Sequence, residues 1–292
     1  MARPDMRIHT PWWAKIAAKV VLARLPVARE VWRRVGVFRP GYMATPEYAY
    51  RVFQEHLARV APWRPREGFV CLEFGPGDSL FTALVAKALG AARTILLDAE
   101  RLAVEDMAAY REMGNFLERA GLTPPDISAA ETLDELLAAC DSAYPTGGVR
   151  SLAQLPDASV DFVFSQAVLE HVRRAEIREL MGQTHRVLRP GGVCSHVIDL
   201  KDHLGGGLDS LRFPSWVWEA HSFAARSGFY TNRLRYSKLL AIFEECGFRA
   251  HVASVRRWSI LPTPRRALAA PFRDLPDEEL TVSGFDVVLQ RR

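Results

Sequence analysis

Phe69-Val70-Cys71-Leu72-Glu73-Phe74-Gly75-Pro76-Gly77-Asp78-Ser79-Leu80 decides the fold. Its mostly apolar first half reads as a strand buried on both faces, the habit of a parallel sheet. Gly75-Pro76-Gly77 breaks the strand, and Leu80 to Leu89 follows as a helix stopped by Gly90. Glycines in such a turn let a ligand approach the backbone, and the free N–H groups at the helix start suit polar ligand atoms. A third glycine, needed for a dinucleotide fingerprint, is missing at Ser79 or Leu80. Glu73, at the end of the strand, would repel a pyrophosphate but suits a ligand carrying a cationic amino group. That charge turns the reading away from NAD.

Three later stretches extend the pattern. Thr94-Ile95-Leu96-Leu97 is a second strand ending in Asp98, about 20 residues past the turn, where doubly wound folds hold ribose hydroxyls. Ser159 to Val172 contains a strand, Val160 to Ser165, followed by Gln166-Ala167-Val168-Leu169-Glu170-His171-Val172. Ala175 to Leu188 reads as a helix closed by Pro190-Gly191-Gly192, with a further strand from Val193 to Leu200.

Together these stretches, from about Val70 to Phe248, resemble the class I S-adenosylmethionine-dependent methyltransferases of the type 11-like group. The resemblance implies an α/β fold, a doubly wound seven-stranded Rossmann-like sheet with amino-terminal helices. It implies S-adenosylmethionine as cofactor, held by Glu73, Gly75, Gly77 and Asp98, with Ser165 and Gln166 delivered to the crevice. The family's adenine position carries an acid before a Leu-Pro pair. Here the run is Gly148-Val149-Arg150-Ser151-Leu152-Ala153-Gln154-Leu155-Pro156, without that acid, so Ser151 or the backbone at Leu152 is the expected adenine contact.

Composition fits this reading. With 292 residues, 49% hydrophobic and 25% charged, the chain has the make-up of an ordinary globular protein with a sizeable core. Cys71, Cys140, Cys194 and Cys246 are scattered, without the paired spacing of a metal or redox site, so a reducing cytoplasm is expected. Charge is unevenly spread. Residues 1–45 hold nine Lys/Arg against two acids, whereas the rest holds 29 basic and 32 acidic residues. The basic arm includes an amphipathic helix over Pro11 to Leu25, too short and too charged to span a bilayer. It either packs on the main domain or meets anionic lipid, so residues 11–39 are a candidate peripheral contact at the inner membrane surface. No nucleic-acid recognition fold accompanies the arm, and no nucleic-acid partner is expected.

The chain divides into a basic helical arm (1–62), a cofactor-binding core (63–200), a substrate-cover insertion (201–235) and a carboxyl-terminal completion of the sheet (236–292). Strand residues Ser195 to Leu200 lead into the polar cluster Asp199, Asp202 and His203, then Gly205-Gly206-Gly207. Between Leu208 and Arg235 lie Phe213, Trp216, Trp218, His221, Phe223, Phe229 and Tyr230. This aromatic insertion suits a substrate cover and equally an auxiliary core. Asp202, His221, Tyr230 and Arg233 are the candidate substrate contacts. Asp199, Asp202, His203 and His221 have metal-ligating atoms, but nothing in their spacing converges them, and no metal is expected.

Methyl transfer from a sulfonium donor depends mainly on alignment, with a general base added when the acceptor is a hydroxyl. His203 is the expected base, oriented by Asp199 or Asp202, with His171 and His221 as rivals. The expected acceptor is a small molecule, a sugar or a lipid-linked glycan, methylated at oxygen. The competing reading is a protein that binds S-adenosylmethionine without catalysis and acts as an interaction partner.

Overall fold

A computed structural model describes residues 13, 14, 16, 43–63, 67–220, 223 and 228–292. The apolar runs form strands β1 (Val70–Phe74), β2 (Arg93–Leu97), β3 (Ser142–Ala143), β4 (Val160–Gln166) and β5 (Leu188–Asp199). Two longer strands, β6 (Phe248–Arg257) and β7 (Val282–Arg291), finish the chain. They join in one seven-stranded sheet of order β3-β2-β1-β4-β5-β7-β6. The first five run parallel, while β7 lies antiparallel between β5 and β6. This is the expected doubly wound α/β architecture.

Alternation along the strands sends successive side chains to opposite faces. Cys71, Phe162, Phe164 and Val193 meet one helical layer: α1 (Pro46–Val60), α2 (Phe81–Ala88), α3 (Met107–Arg119) and α4 (Leu133–Ala139). Leu72, Phe74, Val163 and Cys194 meet the other, α5 (Val149–Ala153), α6 (Ile177–Val187) and α7 (Tyr236–Glu245). Each large apolar side chain buried in these layers contributes roughly 1.5–3 kcal/mol. Local chemistry fixes the helix starts. Asp106 accepts hydrogen bonds from the N–H groups of Ala108 and Ala109, and Thr132 with Glu135 forms a capping box. The third helix therefore starts at Met107.

Pro190-Gly191-Gly192 does not separate α6 from β5 as expected. Pairing begins at Leu188 opposite Val160, and the turn is absorbed as a bulge before Phe162 meets Val193. The aromatic insertion forms a small core of its own, in which Trp218, Phe229, Tyr230 and Leu204 bury Ile16 of the amino-terminal arm. Trp13 is 61% exposed and Trp216 79%. The connection from β6 to β7 packs Leu268, Phe272 and Leu280 against Leu208 and Leu211 of the insertion. Among the described residues no helix is long and apolar enough to cross a membrane.

Candidate functional site

The carboxyl end of β1 lies between the ends of β2 and β4. Phe74 is level with Leu97 on one side and Ser165 on the other, so the next residues, Gly75, Asp98 and Gln166, line one edge. Gly75 and Gly77 both have left-handed backbone, φ +63° and +76°. They differ in what surrounds them. A Cβ on Gly75 would stand 2.7 Å from Val168 Cγ2, whereas one on Gly77 would meet no protein atom within 4 Å. Gly75 is thus required by packing, and Gly77 opens onto the crevice. Gly75 N–H donates to Leu97 O at 2.8 Å, tying the turn to β2.

Two carboxylates serve this turn. Asp98 Oδ1 accepts from Ala99 N–H at 2.7 Å and Oδ2 from Gly77 N–H at 3.4 Å. Burial raises its pKa, and those N–H donors oppose the rise. Glu73 is buried on the α2 side, and its Oε2 has no hydrogen-bond partner among the described residues. Burial pushes its pKa up to about 8, with the Thr82 hydroxyl opposing and the Asp98 charge adding to the rise. An orphaned buried carboxylate beside an open glycine cradle is costly alone and fits a cationic ligand. These residues therefore fit the ammonium and ribose groups of S-adenosylmethionine.

The remaining expected cofactor contacts divide. Gly148 N–H donates to Asp98 O at 2.9 Å, which brings α5 to the rim. Leu152 is a correction: its side chain is fully buried, its N–H donates to Gly148 O and its carbonyl accepts from Arg186. Ser151 stands over Gly147, where a Cβ would come 2.5 Å from its Oγ. Ser165 is also corrected. Strand alternation turns it away from the layer that Gln166 faces, and it is buried with its Oγ 2.8 Å from His196 Nδ1. Gln166 stays half-buried, its Oε1 3.2 Å from His56 Nε2. Burial lowers the pKa of both His56 and His196 to about 3. Neither histidine stands out as a site residue in the sequence. The available signal for His56 was a polar ring one turn past Val52 and Phe53 on the apolar stripe of α1.

At the ends of β4 and β5, His171 and His203 come together with ring centres 4.7 Å apart. Both are exposed. His171 Nδ1 lies 2.8 Å from Tyr230 O; a carbonyl only accepts, so Nδ1 carries the proton and Nε2 is left as an acceptor. Crowding by protein lowers the His171 pKa, with the Tyr230 carbonyl and Asp199 opposing. Asp199 itself accepts from Lys201 N–H and lies 3.3 Å from Lys201 Nζ. Glu170, buried beneath, accepts from Asp199 N–H, and burial pushes its pKa up to about 8.

Three expected substrate contacts are engaged inside the insertion. Asp202 is buried and accepts from Leu204, Gly205 and Asp209 N–H, which braces the triple-glycine loop. Arg233, with φ +58°, is buried under Trp218 and Phe272 and donates to Ser210 O and Phe213 O. Tyr230 donates its hydroxyl to Glu219 and accepts from Arg174 N–H. For Asp202 and Arg233 the insertion's own turns supply the partners that a substrate was expected to supply. His221 lies outside the described residues, as do residues 11–39 apart from Trp13, Ala14 and Ile16.

Residues 72–195 match the family described as methyltransferase domain. No curated protein matches the chain. Solved structures similar to it include the YcgJ protein of Bacillus subtilis, 15% identical, covering 80% of this chain and 97% of that one with a TM-score of 0.45. A SAM-dependent methyltransferase from Methanosarcina mazei is also 15% identical, with coverages of 80% and 96% and a TM-score of 0.45. An S-adenosylmethionine-dependent methyltransferase from Mesorhizobium loti is 18% identical, with coverages of 80% and 96% and the same TM-score, 0.45.

Proposed function

We propose that this chain, whose residues 72–195 match the methyltransferase domain family, is a class I S-adenosylmethionine-dependent methyltransferase that methylates an oxygen of a small-molecule, sugar or lipid-linked glycan acceptor. The observation that carries the oxygen reading is the pair His171 and His203 at the ends of β4 and β5. A hydroxyl must lose its proton as it is methylated, and neutral imidazole at this edge is the group suited to take it.

When bound, the cofactor supplies a methyl group on a sulfonium, already activated for displacement. The chain supplies position. Glu73 holds the ammonium end, Asp98 takes ribose hydroxyls, and the N–H groups and open face of the Gly75–Gly77 turn seat the backbone-facing side. His203 takes the acceptor's hydroxyl proton while Asp199 lends negative potential; His171, whose Nε2 is an acceptor, is the second candidate. Holding acceptor and methyl in line is worth roughly 7–11 kcal/mol, and the base adds about 10²–10⁴-fold. In this division of labour residues 63–200 hold the cofactor and residues 201–235 cover the acceptor.

The net charge of +7 over residues 1–45 and the exposed Trp13 and Trp216 support a peripheral contact with anionic lipid on the cytoplasmic side. Pelleting with anionic vesicles, lost on deletion of residues 1–40, is the expected behaviour. The acceptor is tested by labelled methyl transfer into fractionated cell extract with mass identification of the product. An O-methylated small molecule or glycan is expected; label confined to nitrogen, carbon or macromolecular fractions would overturn the acceptor reading.

A further inference from the structure

α1 lies across the sheet face that carries the glycine turn, and it brings one polar side chain into contact with that face. His56, fully buried, reaches both Ser195 Oγ, 2.8 Å from its Nδ1, and Gln166 Oε1, 3.2 Å from its Nε2. Glu73, Phe164 and Ser195 are level across three strands. Gln166, two residues beyond Phe164, therefore projects to the same face as Glu73, on the adjacent strand.

The protonation of His56 follows from its neighbours. Arg59 Nη1 approaches Nδ1 at 3.3 Å, and a guanidinium only donates. Nδ1 must then be the acceptor, receiving Arg59 N–H and the Ser195 hydroxyl, and Nε2 carries the proton. Nε2–H in turn needs an acceptor, which is the amide oxygen of Gln166. A second proton on the ring is opposed by burial and by Arg59. The backbone beyond is pinned as well: Ala167, with φ +54°, donates its N–H to Val197 O at 2.9 Å. With its oxygen committed to His56, the Gln166 amide keeps its NH₂ group as the part able to donate elsewhere.

An α-amino acid carries its ammonium and carboxylate on one carbon, so whatever seats the first beside Glu73 must leave the second close by. Glu73 and Gln166 are the polar side chains that the carboxyl ends of β1 and β4 turn to this face, and with Glu73 ionised against the ammonium only Gln166 offers a donor. We infer that His56 is a positioning residue that fixes the Gln166 amide so that its NH₂ donates to the carboxylate of the bound sulfonium amino acid. This rests on the cofactor reading given above.

The test is binding rather than turnover. Dissociation constants are measured by calorimetry for S-adenosylmethionine and for its decarboxylated analogue, which keeps the ammonium and lacks the carboxylate. A hydrogen bond to a charged group predicts that the wild type prefers the first by about ten- to a hundredfold. His56→Leu should lower that preference about tenfold with little effect on the analogue. His56→Gln, which restores an amide N–H at similar reach, should recover it. Gln166→Leu leaves His56 in place and should abolish the preference, so the inference stands or falls even if His56→Leu does not fold. An unchanged preference in Gln166→Leu, or equal losses for both ligands in folded His56→Leu, overturns it. A wild type that binds neither ligand overturns the cofactor reading itself.

Discussion

Gly75 and Gly77 are two residues apart and share a left-handed backbone, yet alanine at each should fail in a different way. Placing a Cβ in that conformation costs roughly 1–2 kcal/mol at either position. At Gly75 the new methyl would also stand 2.7 Å and 3.0 Å from the two γ carbons of Val168, a contact that demands movement. Overpacking of this kind adds about 1–3 kcal/mol. Gly75→Ala should therefore lose about 3 kcal/mol and melt roughly 6–12 °C lower, given about 2–4 °C per kcal/mol for a chain of this size. Gly77→Ala, with no protein atom within 4 Å of its methyl, should melt only about 2–8 °C lower. Its loss should appear instead in S-adenosylhomocysteine affinity, falling about tenfold or more because the methyl enters the space assigned to ligand. Thermal melts and calorimetric titrations on both variants, repeated in a Val168→Ala background, separate the two costs. In that background Gly75→Ala should retain only its backbone penalty. Equal melting losses in the two variants, no relief from Val168→Ala, or wild-type affinity in Gly77→Ala would refute the geometry.

Glu73 should make the protein pH-dependent in a defined direction. Its folded pKa, about 8, lies above its ordinary value of 4.5, so the unfolded chain ionises first and stability declines as pH rises between these values. Denaturation of Glu73→Gln from about pH 5 to pH 8 should show a shallower decline than wild type, and parallel curves would contradict the assignment. Arg235 is buried and donates to the carbonyls of Leu200, Glu279, Leu280 and Val282, joining the end of β5 to the start of β7. Arg235→Leu orphans those carbonyls and should cost roughly 3 kcal/mol or more in urea unfolding; a loss below about 1 kcal/mol would show that water replaces it. His203→Ala should lower kcat by about 10²–10⁴-fold with cofactor affinity unchanged. Loss in His171→Ala instead would move the base to His171, and full turnover in both variants removes general base catalysis from this edge.

Sheet and glycine turn were legible because they are local: a buried apolar run, a glycine turn and a helix within about 20 residues. The bulge at Pro190-Gly191-Gly192 was not, since its register is set by β4 across the sheet. Strand period alone separates Ser165 from Gln166, and applying it would have placed Ser165 against His196 rather than in the crevice. Asp202 and Arg233 were misread for a different reason. Charged residues in a glycine- and aromatic-rich loop look available for substrate, but this loop is dense enough to consume their hydrogen bonds in its own turns. His56 escaped because its partners lie 110 and 139 residues away. No pattern within α1 encodes such a contact.

Titrating the purified chain with S-adenosylhomocysteine, S-adenosylmethionine and NAD by calorimetry tests the central claim most directly. Saturable one-to-one binding of the first two, weakened in Glu73→Gln and Gly77→Ala, with no heat from NAD, is the predicted result. Binding of NAD, or cofactor affinity untouched by both substitutions, would contradict it.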